Sequence, residues 1–91
     1  MAQIINIYGE IFEVMPCNGT DFKLRELQGI VEGHIEILRL SNNTVMVVNE
    51  EGKFQCAYNG LATILAKTCR AIPQNDYING NVLVCDTNQI K

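Results

Sequence analysis

Histidine occurs once, at His34, and the four cysteines, Cys17, Cys56, Cys69 and Cys85, include no Cys-x-x-Cys pair. A zinc centre draws its ligands from clustered Cys and His side chains, so no metal site and no cofactor is expected. The N-terminal Met1-Ala2-Gln3-Ile4-Ile5-Asn6 has no basic region leading into a long apolar segment. That predicts a cytoplasmic chain whose thiols stay reduced. No stretch approaches the roughly 18 continuous apolar residues of a membrane span, and no membrane partner is expected. Basic residues are also short: seven Lys and Arg stand against ten Asp and Glu, for a net charge of -3. Such a field repels phosphate backbones, so direct nucleic-acid binding is not expected. Acidic runs are missing as well, which argues against an extended mimic of DNA and leaves one local acidic pair, Glu50-Glu51. Lys53 follows Gly52, but the rest of the phosphate-loop pattern is absent. There is no internal repeat, linker or low-complexity tract.

What remains is a chain of 91 residues with 47% hydrophobic and 19% charged residues. That balance belongs to a folded globular protein, and the length allows one core. We expect a single domain over residues 1–91 with an ordered core over about residues 3–86.

Ile4, Ile5 and Ile7, then Ile11, Phe12 and Val14, form two β-type runs separated by Gly9-Glu10, the pattern of a hairpin. Pro16-Cys17-Asn18-Gly19 ends that unit. Thr20 or Asp21 is then positioned to cap a helix whose Leu24, Leu27 and Val31 recur at helical spacing, with Gly33 to stop it. His34 to Leu40 reads as a strand, Ser41-Asn42-Asn43 as a turn and Thr44 to Asn49 as the returning strand. Glu50-Glu51-Gly52-Lys53 reads as a second turn with Gly52 at positive φ, followed by a short third strand at Phe54-Gln55-Cys56. Asn59 is placed to cap a helix reaching about Arg70, with Leu61, Ile64, Leu65 and Thr68 inward. A last strand runs from Asn81 to Asp86 before a polar tail. The order β-β-α-β-β-(β)-α-β describes a compact α+β domain with a largely antiparallel sheet and two helices.

Several of these segments together carry a resemblance. Leu27-Gln28-Gly29-Ile30-Val31-Glu32-Gly33-His34-Ile35-Glu36, then Val48-Asn49-Glu50-Glu51-Gly52-Lys53, then Asn59 with Ala62-Thr63, and Ile78-Asn79-Gly80 before Val82, stand in the order of one pattern. From about Leu24 to Val84 the chain resembles a family of small domains of unknown function found in bacteriophages, plasmids and bacterial genomes. It departs at Glu32-Gly33-His34, where the family commonly has a second Gly. The resemblance implies a mobile-element context and a host-cytoplasm location, and assigns no activity.

Candidate site residues fall at the turns. Glu50 and Glu51 form an acidic turn, although adjacent residues at a strand end point opposite ways, which weighs against a paired-carboxylate centre. Tyr58 offers a flat amphipathic surface beside the helix start at Asn59, and with Lys53, Asn79 and Gly80 would line a pocket if the fold brings them together. Cys56 with His34 is a thiol-catalysis candidate, set against the commoner role of an isolated cysteine as a small buried hydrophobe.

The expectation is a non-enzymatic binding protein of a phage or mobile element that inhibits a host anti-phage defence component by occupying it through Glu50-Glu51 and a sheet edge. The first alternative is a sink or sensor for a nucleotide-like ligand held by Lys53, Tyr58, Asn59, Asn79 and Gly80. A thiol or carboxylate enzyme using Cys56 or Glu50 is the second. A homodimer would cover apolar surface that so small a domain leaves exposed.

Overall fold

A computed structural model describes residues 1–90. Two hairpins and a central strand build one five-stranded sheet. β1 (Ala2–Ile5) pairs antiparallel with β2 (Ile11–Val14), and β3 (Ile35–Arg39) with β4 (Thr44–Asn49). β5 (Val82–Asp86) lies between the hairpins, antiparallel to both β1 and β4, giving the order β2-β1-β5-β4-β3. The expected α+β architecture with an antiparallel sheet is therefore the observed one.

The first hairpin closes because Asn6 organises its turn. The Asn6 Oδ1 accepts from the backbone N–H of Tyr8 at 3.0 Å and of Glu10 at 2.9 Å, and Gly9 takes φ 82°. A left-handed residue is what a tight strand reversal needs and what glycine adopts without penalty.

β4 and β5 are covered on both faces, so their sequences read as continuous apolar runs instead of alternating ones. Val45, Val47, Leu83 and Cys85 face one side, with Leu27 and Val31 of α1 (Leu24–Val31) and Phe22 packed on them. Met46, Val48 and Val82 face the other, under Ala62 and Ala66 of the helix over Gly60–Thr68. Burying each of these larger side chains contributes about 1.5–3 kcal/mol.

The first helix starts later than its sequence signals suggest. Thr20 and Asp21 sit in a turn whose backbone N–H groups are both accepted by Asn18 Oδ1, at 2.9 Å each. Lys23 is the N-cap residue instead, and its N–H donates to Glu26 Oε2 at 2.8 Å. Leu24 is exposed. The helix ends with Glu32 in the left-handed region at φ 65°, so Gly33 is not the residue that turns the chain. Gly33 is needed for proximity: a Cβ there would lie 2.7 Å from Asn49 Nδ2.

The expected third strand at Phe54-Gln55-Cys56 is not a strand. Residues Gly52–Gln55 form a single helical turn, α2, closed by the Cys56 N–H donating to the Gly52 carbonyl at 2.8 Å. Phe54 is 90% exposed, with no sheet neighbour to pack on. Gly52 is not at positive φ either. Its backbone lies so close to Asn79 that a Cβ would sit 2.7 Å from the Asn79 carbonyl oxygen, a proximity that only glycine allows.

α3 (Gly60–Thr68) is capped by Asn59 as expected, with its Oδ1 accepting from Ala62 N–H at 3.0 Å. Of the residues expected to face inward, Leu65 packs against the core, whereas Leu61, Ile64 and Thr68 do not. Ala62, Thr63 and Ala66 are buried, while Ile64 is 63% exposed and Leu61 is exposed too. Small residues on the inner face let the helix approach the sheet closely, where larger side chains would hold it off. Past β5, Thr87–Gln89 form a 3-10 turn, and Phe22 pairs with Ile90 through a bridge in which Phe22 N–H donates to Gln89 O at 2.7 Å. The tail therefore closes the face covered by α1.

Candidate functional site

The loop between α3 and β5 is fastened to the segment before α3. Asn59 N–H donates to Ile78 O at 2.9 Å, Gly80 N–H donates to Ala57 O at 2.7 Å, and Tyr58 and Asn79 are bridged between them. Thr63 Oγ1 donates to Asn59 O and accepts from Ile78 N–H, both at 2.8 Å. The segments Asn59 with Ala62-Thr63 and Ile78-Asn79-Gly80 are thus two halves of one clasp.

Beside this clasp a cleft of ≈ 160 Å³ opens on the α3 face of the sheet. Its floor is Leu38 and Val48, with Glu36 of β3 and Glu50 after β4 at its margin. It is also lined by Lys53 and Phe54 of α2 and by Asp76, Tyr77 and Asn79. The Lys53 ammonium pairs with the Asp76 carboxylate and lies 4.8 Å from the centre of the Tyr77 ring. Tyr77 is in turn flanked by Tyr58, with ring centres 6.4 Å apart at 57°.

The pairing shifts both ionisations in the sense opposite charges require. The hydrogen bond from Lys53, assisted by the Tyr77 N–H at 2.7 Å, holds the Asp76 carboxyl below its ordinary value. The same hydrogen bond to Asp76 raises Lys53, with Glu36 adding to the effect. Glu36 and Glu50 make no ion pair among the described residues.

Asn79 also lines the cleft. Its Nδ2 donates to Cys56 O at 2.9 Å, which fixes the orientation of the amide, and its Oδ1 is buried with no donor among the described residues.

A model of the family described as domain of unknown function (DUF3846) matches residues 5–90. The chain belongs to this family. No curated protein and no solved structure matches it.

Of the candidate residues in this DUF3846 domain, Glu50, Lys53 and Asn79 meet at the cleft. Glu51 does not line it; its exposed carboxylate faces Gln55 on α2 at 3.5 Å. Tyr58 is half-exposed and touches the cleft only through Tyr77. Asn59 is fully buried, with Nδ2 donating to Ile5 O at 3.0 Å and Gly80 O at 2.8 Å, so its amide is committed to the scaffold. Gly80, at φ 89°, lines a separate hollow of ≈ 200 Å³ with Cys56, Ala57 and Asn81. His34 is exposed before β3, where its carbonyl accepts from Glu50 N–H at 2.8 Å, and no hydrogen bond joins it to Cys56 among the described residues. No group of three His, Cys, Asp or Glu side chains among the described residues is arranged to hold a metal ion, and no helix among them is long and apolar enough to cross a membrane.

Glu36, Asp76 and Tyr77 were missed as site residues. The signal for Tyr77 was available, since it is an aromatic residue in an otherwise polar loop. Nothing in sequence tied Asp76 to Lys53, which lies 23 positions away.

Proposed function

We propose that this DUF3846 domain is a non-enzymatic binding protein that docks an extended segment of a partner protein along the free edge of β3, with a side chain of that segment entering the acidic cleft. One observation carries the reading. β3 ends the sheet, with no strand beyond it among the described residues, and the same strand supplies Glu36 and Leu38 to the cleft. An open edge offers backbone hydrogen bonds, and a pocket beside it selects alternate side chains of an added strand.

In the mobile-element context implied by the resemblance, the partner is a host protein, and the consequence of docking is blockade of a component of anti-phage defence. The acidic pair at Glu50 and Glu51 then supplies electrostatic steering at the rim. The nucleotide-like ligand has less support. The cleft is smaller than the ~300–1,000 Å³ of typical small-molecule sites, and Lys53, the cation a phosphate would need, already pairs with Asp76.

Affinity capture from bacterial lysate with wild-type protein and a Glu36→Lys/Glu50→Lys variant, followed by hydrogen exchange on the captured complex, tests this reading. The expected result is a partner lost with the variant and new protection confined to the β3 amides and residues 76–79. A partner held equally by both proteins, or protection elsewhere, overturns it.

A second copy is also favoured as a partner, at the other edge. β2 ends the sheet on that side, and Ile11 at 52%, Phe12 at 49% and the following Met15 at 78% exposure present apolar surface along it. Sedimentation of wild-type and Phe12→Lys protein checks this: a concentration-dependent dimer abolished by the substitution is expected, and a monomer throughout removes it.

A further inference from the structure

We infer that β3 takes its added segment antiparallel and in one register, and that the segment carries the order acidic, apolar, apolar, basic, with the acidic residue opposite Arg39 and the basic one opposite Glu36. The inference rests on the docking reading above and names the kind of partner segment that the edge fits.

Two backbone bonds bracket the β3–β4 pair: Leu40 N–H donates to Thr44 O at 2.9 Å, and Glu50 N–H donates to His34 O at 2.8 Å. Between them the register runs without a bulge from Ile35 opposite Asn49 to Arg39 opposite Val45. Bonded and non-bonded residues alternate along an antiparallel pair. The even-numbered residues of β3 therefore direct their N–H and C=O groups to β4, and Ile35, Ile37 and Arg39 turn theirs outward. An incoming strand must bond at those residues, and antiparallel pairing is the slightly more stable mode per residue.

Ile35 packs on the α1 side of the sheet and Leu38 on the α3 side, so by alternation Ile37 and Arg39 share the first face and Glu36 the second. Ile37 is 46% exposed. Arg39 and Glu36 are exposed as well, and neither makes an ion pair among the described residues. Leu38 lines the cleft together with the exposed Phe54. Directly opposed residues on neighbouring strands stabilise the pair when both are apolar or their charges are opposite, and like charges oppose pairing. In the segment's own direction, an acidic residue meets Arg39, an apolar one meets Leu38, a second apolar one meets Ile37, and a basic one meets Glu36. A slip by one residue turns every side chain to the wrong face, and a slip by two takes each charge off its partner.

A second copy of β3 does not supply this segment. Glu36 and Arg39 lie an odd number of positions apart, hence on opposite faces, and no antiparallel pairing of two β3 strands that keeps the bonding alternation sets one opposite the other. The charges of the edge are complementary to a different sequence, and the occupant is a segment of another protein.

The test is an NMR titration of the isotope-labelled full chain with the peptide acetyl-Thr-Glu-Val-Val-Lys-Val-Thr-amide, against acetyl-Thr-Lys-Val-Val-Glu-Val-Thr-amide, which has the same composition with its charges exchanged. The first peptide is expected to saturate and to slow hydrogen exchange at the Ile35, Ile37 and Arg39 amides. The second should bind about tenfold more weakly, since two cross-strand pairs turn from attractive to repulsive. A Glu36→Lys/Arg39→Glu variant changes two exposed side chains, should fold normally, and should reverse the preference. Equal binding of the two peptides at β3, or a preference unmoved by the variant, overturns the charge order and leaves docking at β3 standing. Binding with protection away from β3 overturns both readings. No saturation of either peptide at several millimolar overturns the inference, and the capture experiment above then decides the docking reading by itself.

Discussion

The side-chain amide of Asn59 reaches across the fold to donate to the Ile5 carbonyl at 3.0 Å, joining the start of α3 to the end of β1. A second N–H goes to Gly80 O at 2.8 Å and the Oδ1 accepts from Ala62 N–H, all in a fully buried setting. Three separate segments therefore depend on one residue. Asn59→Ala leaves two buried carbonyls without donors and a helix without its cap, and should cost about 3 kcal/mol. Asn59→Ser retains a capping oxygen and should recover about 1 kcal/mol of that. Urea unfolding midpoints of the two variants measure both effects.

Gly33 and Asn49 form a second close contact. Asn49 Nδ2 donates to Val31 O at 3.0 Å and its Oδ1 accepts from Glu51 N–H at 2.7 Å, so the residue ties the end of α1 to the turn after β4. Because a Cβ on Gly33 would lie 2.7 Å from that Nδ2, Gly33→Ala must displace the amide. A destabilisation of about 1–3 kcal/mol is expected from the unpaired buried groups. Displacement of the Asn49 side-chain NH2 resonance should accompany it, and an unmoved resonance would contradict the contact.

The orientation of α3 is tested by a pair of substitutions on its two faces. Ala66→Leu adds volume where the helix meets the sheet and should destabilise by about 1–3 kcal/mol. Ile64→Ser replaces an exposed side chain and should remain within about 0.5 kcal/mol of wild type. Thermal unfolding of the pair distinguishes this facing from the reverse.

The Lys53–Asp76 pair makes a prediction in pH. Asp76 is held below its ordinary value in the folded state, so its contribution to stability is present above that ordinary value and is lost as pH falls through the lowered one. Lys53 is raised, so its contribution is present below the ordinary lysine value and is lost as pH rises through the raised one. In a Lys53→Met variant the Asp76 carboxyl should titrate higher than in wild type, by carbon-detected NMR. An unchanged midpoint would show that Lys53 is not the cause.

Which parts of this were legible follows from how far apart the interacting groups lie. The hairpin at Gly9, the strand runs of β3 to β5 and the cap at Asn59 are short-range features, and each was visible in the residue pattern. The facing of α3 was legible only at Leu65, which packs against the core, because Leu61 and Ile64 look like core residues until the sheet demands Ala62 and Ala66 at close approach. The single helical turn at Gly52–Gln55 reads as a strand for a similar reason: the Asn79 carbonyl it packs against belongs to a distant loop. At the site, Glu50, Lys53 and Asn79 were recognised as polar turn residues. Their meeting with Glu36, Asp76 and Tyr77 was not.

The amino-acid sequence by itself determined the antiparallel α+β domain and the family, since hydrophobic periodicity, turn residues and capping side chains act over a few positions and leave their mark there. Only the tertiary structure decided which glycines serve close approach, which face of α3 is buried and where an acceptor-rich cleft forms. Those outcomes are set by packing between segments far apart in the chain, and a linear pattern carries no record of the distance between them.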